Sequence, residues 1–107
     1  RKDRKFVVAK IGILFIDGHT TFTLFYIGSA PKAVIAVHLA GNPCDIAPLS
    51  ALCKSRGITL IEDVAQSFGC RYAGRHVGSF GDYGCFSFNE FKHLSSGDGG
   101  IVVTSDA

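Results

Sequence analysis

The feature that most constrains this chain is a short apolar run that ends in two adjacent carboxylates. The run from Ile58 to Ile61 is apolar apart from one threonine, and Glu62 and Asp63 follow it directly. Short runs rich in β-branched residues are typical of strands buried in a sheet. In an open α/β sheet, ligands bind at the carboxyl ends of such strands. We therefore expect Asp63 to face a ligand.

A second strand-like stretch is followed by a lysine. Gly84 to Phe88 reads as a strand, and Lys92 comes shortly after it, next to Phe91. Apolar surroundings lower the pKa of an amine and make it a better nucleophile. A lysine after one strand and an acid after another is the layout that a pyridoxal phosphate enzyme needs. The lysine forms a Schiff base, and the acid pairs with the pyridinium nitrogen.

Length and composition narrow the class of protein. The chain has 107 residues, enough for one small domain, and its 47% hydrophobic and 19% charged residues exclude a disordered composition. A net charge of +2 gives no reason to expect a nucleic-acid partner. The apolar stretch from Phe6 to Ile16 is too short to span a membrane and contains Lys10. We expect a cytoplasmic protein with no membrane partner.

The four cysteines do not indicate a metal site. None of them is paired in a C-x-x-C motif, so the sequence does not support zinc, and we expect no metal. Each lies among apolar or small residues. We expect reduced, buried cysteines, as in a cytosolic protein.

A strand–helix–strand unit begins after Pro31. Ala33 to Val37 is a continuous apolar strand, and a helix then runs from an N-cap at Asp45 to a C-terminal Gly57. Its apolar face consists of Ile46, Leu49, Leu52 and Cys53. The strand from Ile58 to Ile61 follows. The unit predicts a parallel crossover, and hence an α/β fold with a mostly parallel sheet and flanking helices.

The remaining segments are shorter. We expect a short helix over Val64–Gln66 that ends at Gly69, and then turns and a short hairpin between Arg71 and Gly81. The last strand, Ile101 to Thr104, is expected to run antiparallel, because the connection before it is short for a helical crossover.

Residues 1–30 carry no motif that we can interpret. Strand-like stretches lie at Phe6–Val8, Ile11–Ile16 and Thr20–Ile27, with a turn signal at Asp17–His19. This pattern is compatible with a hairpin. We divide the chain into this atypical segment, residues 1–30, and a core over residues 31–107.

Each candidate site residue also has a purely structural explanation. Asp63 could cap the Val64–Gln66 turn, and taken alone this explanation is favoured over a cofactor contact. Gln66, one helical turn further on, could hydrogen-bond a ring hydroxyl or cap locally. Ser87 could donate to a phosphate or to the backbone. His38 follows a buried strand and is interpreted as a core histidine rather than a substrate contact.

The glycine-rich segment after Lys92 has two explanations as well. Residues 95–100 could cradle a phosphate, because glycines allow backbone N–H groups to approach an anion. The segment matches neither G-x-G-x-x-G nor the P-loop. A tight turn into the last strand is the alternative.

In order and spacing, these features together resemble the pyridoxal phosphate-dependent sugar aminotransferases of the DegT/DnrJ/StrS type. The resemblance extends from about Pro31 to Ala107. The matching stretches are Val37-His38-Leu39 with Gly41, Ile61 to Gln66, Gly78-Ser79 with Gly81-Asp82, Phe86-Ser87-Phe88 with Lys92, and Gly97 to Gly100.

The resemblance implies a role for each site residue. Lys92 is similar to the lysine that bonds to the cofactor and moves a proton between the substrate α-carbon and cofactor C4′. Asp63 is similar to the partner of the pyridine nitrogen, and Gln66 to the residue beside the 3-hydroxyl. Ser87 resembles a phosphate ligand. Catalysis is thus expected at Lys92, and cofactor binding at Asp63, Gln66, Ser87 and Lys92.

The resemblance also implies a reaction and an architecture. The family transfers an amino group, commonly from glutamate or glutamine, to a keto group of a nucleotide-linked sugar. Such reactions serve cell-surface polysaccharide or amino-sugar biosynthesis. The implied fold is part of the large domain of a type I aminotransferase, which works as a homodimer. Some relatives carry histidine in place of the lysine and are dehydratases, so Lys92 favours transamination.

The chain departs from the family pattern in several places. His93 and Asp98 stand where asparagine and glutamate are more common in the family, and residues 1–30 show no resemblance to it. We expect the family's C-terminal domain to be absent as well. We therefore expect a fragment with little or no activity of its own. The alternative function is a non-catalytic remnant that acts as a binding or regulatory module. A plain nucleotide-binding domain is the least favoured function. Such a domain needs a glycine-rich loop after its first strand, and residues 38–42 contain a single glycine.

Overall fold

A computed structural model describes three short strands near the N-terminus and residues 31–105. The N-terminal strands are Val7–Val8 (β1), Ile13–Asp17 (β2) and Leu24–Phe25 (β3). The later elements are β4 (Ala33–Val37), α1 (Ile46–Arg56), β5 (Thr59–Asp63), β6 (Arg71–Tyr72), β7 (Arg75–His76), β8 (Tyr83–Ser87) and β9 (Gly100–Thr104). No helix in the described residues is long and apolar enough to cross a membrane.

The main sheet has five strands in the order β2-β4-β5-β8-β9. The first four are parallel, and β9 is antiparallel to β8, with Tyr83 opposite Thr104 and Ser87 opposite Gly100. The predicted α/β class and the antiparallel last strand are confirmed. Of the flanking helices predicted, α1 is the one found among the described residues.

The core lies between α1 and one face of this sheet. Ile46, Leu49 and Cys53 of α1 are buried together with the strand residues Val34, Ala36 and Leu60. Strand residues at alternate positions share a face, which is why Val34 and Ala36 both point toward the helix. Burying an aliphatic side chain of this size contributes about 1.5–3 kcal/mol. The predicted face of α1 is confirmed at these positions, whereas Leu52 is half-buried.

The two ends of α1 differ in how well the sequence predicted them. Gly57 ends the helix in a left-handed conformation (φ 62°), and Ile58 N–H donates to the Cys53 carbonyl at 2.9 Å. Asp45 occupies the predicted N-cap position, but its carboxylate makes no capping hydrogen bond. Its backbone (φ −72°, ψ 70°) lies outside the extended conformation of an N-cap, and Asp45 Oδ1 accepts the hydroxyl hydrogen of Tyr72 instead.

The predicted short helix over Val64–Gln66 is not found. Val64 N–H donates to the Cys85 carbonyl at 2.8 Å, which continues the pairing of β5 with β8. A β-turn closes through Ser67 N–H to the Val64 carbonyl at 3.0 Å, and a second closes through Cys70 N–H to the Ser67 carbonyl at 3.1 Å. Pairing with a distant strand therefore replaces the helical hydrogen bonds that local propensity favoured.

The hairpin predicted between Arg71 and Gly81 is confirmed. Strands β6 and β7 pair antiparallel, with Tyr72 opposite Arg75, through a two-residue turn at Ala73 (φ 48°) and Gly74 (φ 81°). Two successive residues with positive φ are the signature of a type I′ turn, whose twist matches that of the strands it joins.

The N-terminal strands do not pair as a hairpin. β1 pairs in parallel with β3, and β2 pairs in parallel with β4, whereas a hairpin needs antiparallel neighbours. The turn residues Gly18 and His19 lie outside the described residues. The division of the chain at residue 30 stays a prediction.

Candidate functional site

Two of the predicted site residues end neighbouring strands. Asp63 is the last residue of β5, and Ser87 is the last residue of β8. Because Asp63 lies opposite Cys85, and Ser87 follows Cys85 by two positions, the register places Asp63 and Ser87 on the same face of the sheet. Both lie at the carboxyl edge of the parallel strands, where open α/β sheets bind ligands.

Asp63 stabilises a turn rather than a helix. Its Oδ1 accepts the N–H of Ala65 at 3.0 Å, and the side chain is half-buried. This is the capping role that the sequence allowed, applied to the β-turn at residues 64–67. None of the described residues donates a hydrogen bond to its second oxygen, Oδ2. A ligand at this edge of the sheet can therefore be met by one carboxylate oxygen while the other holds the turn.

Gln66 and Lys92 line one cavity. The pocket lies at the carboxyl edge of the sheet, and its remaining lining residues are Ala65, Phe91 and His93. Lys92 is half-buried, while Phe91 is 87% exposed, so the apolar surroundings expected for the lysine are only partly present. Asp63 and Ser87 do not line this cavity, although they end the adjoining strands.

Lys92 is held in a turn at the end of β8. Its N–H donates to the Asn89 carbonyl at 2.9 Å, and the Asn89 side-chain oxygen accepts Phe91 N–H at 3.2 Å. Ser87 Oγ accepts Asn89 N–H at the long distance of 3.4 Å, so this weak bond leaves the hydroxyl largely uncommitted.

The glycine-rich segment at residues 95–100 is a turn onto the end of β8. Phe88 N–H donates to the Gly99 carbonyl at 2.8 Å, and Ser96 N–H donates to the Phe88 carbonyl at 2.9 Å. Gly97 N–H is already bound by Ser95 Oγ at 3.1 Å. The tight turn, the simpler of the two explanations, accounts for this segment, and its N–H groups at 96 and 97 are engaged within the chain.

Glu62 is the residue whose importance the sequence reasoning missed. It is completely buried, and its two oxygens accept four hydrogen bonds. Oε2 accepts from His38 Nε2 at 2.9 Å and from Gly78 N–H at 2.6 Å. Oε1 accepts from the N–H groups of Phe80 at 2.6 Å and Gly81 at 2.7 Å. The signal in the sequence was the strand alternation, which turns Glu62 to the face opposite Asp63.

The charge of Glu62 is stabilised by these donors. Burial alone raises the pKa of its carboxyl, but hydrogen bonds from His38 and from three backbone N–H groups bring that pKa below its ordinary value of 4.5. A carboxylate that accepts several N–H groups is more stable in its ionised form. Glu62 therefore holds a negative charge in the core.

His38 is a core residue, as the sequence indicated. Its Nδ1 accepts Cys44 N–H at 3.1 Å, so Nδ1 carries no proton and Nε2 carries the hydrogen donated to Glu62. The imidazole is completely buried. It connects the end of β4, the segment before α1 and the buried carboxylate of β5.

Comparison with known proteins places this arrangement in a family. Residues 20–107 match the DegT/DnrJ/EryC1/StrS aminotransferase family, so the match begins before Pro31, where the resemblance was expected to start. The chain is 49% identical over 75 residues to the GDP-perosamine synthase of Escherichia coli O157:H7. This alignment covers 70% of this chain and 21% of that protein. Over 77 residues it is 53% identical to a UDP-N-acetyl-3-dehydro-alpha-D-glucosamine 3-aminotransferase of Acidithiobacillus ferrooxidans, covering 71% and 21%.

Solved structures agree with the sequence relatives. An aminotransferase from Psychrobacter cryohalolentis superposes with a TM-score of 0.70 at 42% identity, over 75% of this chain and 20% of that one. Helicobacter pylori PseC, an aminotransferase involved in the biosynthesis of pseudoaminic acid, gives a TM-score of 0.71 at 31% identity, over 76% and 22%. The chain thus spans about a fifth of the length of these relatives. Its partial α/β sheet and its sequence together show that the chain belongs to the DegT/DnrJ/EryC1/StrS aminotransferase family, whose members are pyridoxal phosphate-dependent enzymes.

Proposed function

We propose that this chain forms the cofactor-contacting part of an aminotransferase that acts on a keto group of a nucleotide-linked sugar. The observation that carries the proposal is the shared cavity of Gln66 and Lys92 beside Asp63, at the carboxyl edge of the sheet. These residues come from two segments of the chain that the parallel pairing of β5 and β8 brings together.

The donor set fits pyridoxal phosphate. Asp63 keeps one carboxylate oxygen available for a protonated ring nitrogen, and the weakly bound hydroxyl of Ser87 is suited to a phosphate oxygen. Lys92 supplies the amine and Gln66 supplies an amide, and both residues line the same cavity. When bound, pyridoxal phosphate supplies an electron sink that allows an amino group to pass between two substrates.

In this proposal the residues of the chain have distinct tasks. Lys92 would hold the cofactor through Nζ as a Schiff base, with loss of water, and its amine, once released, would take a proton from the amino-bearing carbon of the donor and return one to the corresponding carbon of the acceptor. Asp63 holds a proton at the ring nitrogen by keeping its own negative charge beside it. Gln66 and Ser87 orient the ring and its phosphate, which limits the loss of entropy in the reacting complex.

The names of the relatives support the substrate class. They include a GDP-perosamine synthase, DesI crystallised in the presence of its TDP-sugar product, and an L-glutamine:2-deoxy-scyllo-inosose aminotransferase of Micromonospora echinospora. We therefore propose a nucleotide-linked sugar as acceptor and glutamate or glutamine as donor. A cytoplasmic homodimer that serves cell-surface polysaccharide or amino-sugar biosynthesis completes the proposal.

Turnover tests the proposal against the non-catalytic alternative. The purified chain is mixed with pyridoxal phosphate, its visible absorption is recorded, and glutamate or glutamine is then added. Lys92→Ala is the test variant, and Lys54→Ala, on the exposed side of α1, is the matched control. A visible band that requires Lys92 and bleaches with the donor supports a transaminase.

The same experiment has two other outcomes. A Lys92-dependent band that no donor bleaches supports the binding or regulatory module. The absence of any band contradicts cofactor binding by this chain. We expect the band and slow bleaching by the donor, because the chain spans about a fifth of the length of its relatives.

A further inference from the structure

The loop after β4 is a tight turn in an unusual conformation. Asn42 N–H donates to the Leu39 carbonyl at 2.9 Å, and the two central residues, Ala40 (φ 52°) and Gly41 (φ 77°), both have positive φ. Glycine adopts this conformation readily, but an alanine there is disfavoured by its Cβ. The surrounding contacts must therefore hold Ala40 in place.

Both central N–H groups of this turn point at Gln66. Ala40 N–H donates to the side-chain oxygen Oε1 of Gln66 at 3.1 Å, and Gly41 N–H donates to the Gln66 carbonyl at 3.0 Å. Since a backbone N–H can only donate, the amide atom that it contacts is the oxygen. The turn thus determines which end of the Gln66 amide faces away from it.

The other end of that amide is not used by the turn. Gln66 lines the pocket that also contains Lys92, and no partner of its Nε2 is recorded in residues 31–105. An amide nitrogen carries two hydrogens and can only donate. Gln66 therefore retains a donor that suits an acceptor atom of a ligand in this cavity.

The buried hydroxyl of Ser67 connects the turn at residues 39–42 to the core. Ser67 Oγ donates to the His38 carbonyl at 2.6 Å and accepts Gly41 N–H at 3.2 Å. Ser67 and His38 are both fully buried, and His38 is fixed in turn by Glu62. The position of the turn is thereby determined by the rigid core rather than by exposed loop residues.

We propose that the Leu39–Asn42 turn is a positioning element that directs the Gln66 Nε2 donor into the Lys92 cavity, toward an acceptor oxygen of the bound ligand. Ala40 acts through its N–H and Ser67 through its hydroxyl, and neither residue lines the cavity. The identity of the ligand as pyridoxal phosphate rests on the function proposed above. The orientation of the amide does not, and it can be tested without ligand.

The ligand-free test uses amide hydrogen exchange of the ¹⁵N-labelled chain. We expect Ala40 N–H to be protected in the wild-type chain and in Gln66→Glu, which keeps an acceptor oxygen. We expect protection to fall about tenfold in Gln66→Met, which has none. Equal protection in all three chains would overturn the orienting contact.

The binding test is a double-mutant cycle with pyridoxal phosphate as the probe. Ser67→Ala should weaken binding about tenfold in the wild-type chain, but less than about twofold in a Gln66→Met background, since its effect passes through Gln66. Ser55→Ala, an exposed serine of α1, is the matched control and should not alter binding in either background. A merely structural role predicts the same loss in both backgrounds, and that result would overturn the proposal.

Failure of the proposed function has a different signature. If no variant binds pyridoxal phosphate but Ala40 protection still depends on Gln66, the ligand is wrong and the positioning contact stands. If binding depends on Lys92 but Ser67→Ala and Gln66→Met weaken it additively, the cofactor site stands and the positioning role is refuted.

Discussion

The carboxylate of Glu62 in β5 accepts a hydrogen bond from Nε2 of His38, the residue that follows β4, at 2.9 Å, and both side chains are completely buried. The same carboxylate binds the N–H groups of Gly78, Phe80 and Gly81. This contact therefore joins the ends of two parallel strands to the loop before β8. Asp63, the next residue of β5, points to the opposite face of the sheet. The hydrogen bonds of Glu62 therefore fix the strand end that carries Asp63.

Replacing Glu62 by glutamine should destabilise the chain strongly. Four donors converge on the carboxylate, and a glutamine offers one acceptor oxygen and an NH₂ group that would face donors. A hydrogen bond to a charged group contributes about 1.5–3 kcal/mol, so disrupting several of them should cost at least that much. Urea unfolding of Glu62→Gln measures the loss, and Glu90→Gln, at an exposed glutamate, is the matched control. Equal stability of the two variants would contradict this account.

Acid should remove the contribution of Glu62. Its pKa in the folded chain is lowered from 4.5, so the unfolded chain takes up a proton first as the pH falls. The stabilisation is complete above the unfolded pKa and is lost as the pH falls through the lower, folded pKa. The wild-type chain should therefore lose more stability than Glu62→Gln when urea unfolding is repeated at lower pH. Parallel pH profiles of the two chains would show that the carboxylate contributes nothing.

A comparison of two glycine variants distinguishes the cost of backbone strain from the cost of close packing. Gly78 (φ 89°) and Gly74 (φ 81°) both have positive φ, but a Cβ on Gly78 would lie 2.5 Å from Phe86 Cζ, whereas one on Gly74 meets nothing within 4 Å. Both alanine variants carry the strain of a left-handed residue, about 1–2 kcal/mol. Gly78→Ala adds an overpacking penalty of about 1–3 kcal/mol. Thermal unfolding should rank Gly78→Ala well below Gly74→Ala, and a reversed order would be inconsistent with the packing described here.

The cysteines should differ sharply in reactivity. All four are free thiols; Cys44 and Cys53 are buried, while Cys70 and Cys85 are half-buried. Burial raises the pKa of Cys44 to about 12, with a further contribution from the charge of Glu62, and raises that of Cys53 to about 11. The thiolate is the reactive form. Iodoacetamide at mildly alkaline pH should label Cys70 and Cys85 first, and early labelling of Cys44 in the native chain would contradict its position.

The sequence predicted correctly those elements that depend on neighbouring residues. These are strands made of a continuous apolar run and helices whose hydrogen bonds join residues close in the chain. The apolar run of β4, the spacing along α1 and the left-handed Gly57 are all read from neighbouring residues, and each was predicted correctly. The direction of β9 followed from the length of its connection. The family motif located Asp63, Gln66, Ser87 and Lys92, and their individual contacts with a cofactor remain predictions.

Contacts between distant segments were not predicted. The helix expected at Val64–Gln66 is replaced by turns because Val64 N–H bonds to Cys85 across the sheet. The carboxylate of Asp45 binds Tyr72, which belongs to a hairpin far along the chain. Glu62 was read as one of two acids at a strand end, since its partners at residues 38, 78, 80 and 81 form no local pattern. In each case the pairing energy comes from residues that only the fold brings together.

Lys92 is the residue that we propose bonds to pyridoxal phosphate in a site formed by this chain. The direct measurement is reduction with borohydride after incubation with the cofactor, followed by peptide mass spectrometry. We expect a cofactor adduct on the peptide that contains Lys92, present in wild type and in Lys54→Ala and absent in Lys92→Ala. An adduct distributed over other lysines, or one that persists in Lys92→Ala, would contradict it.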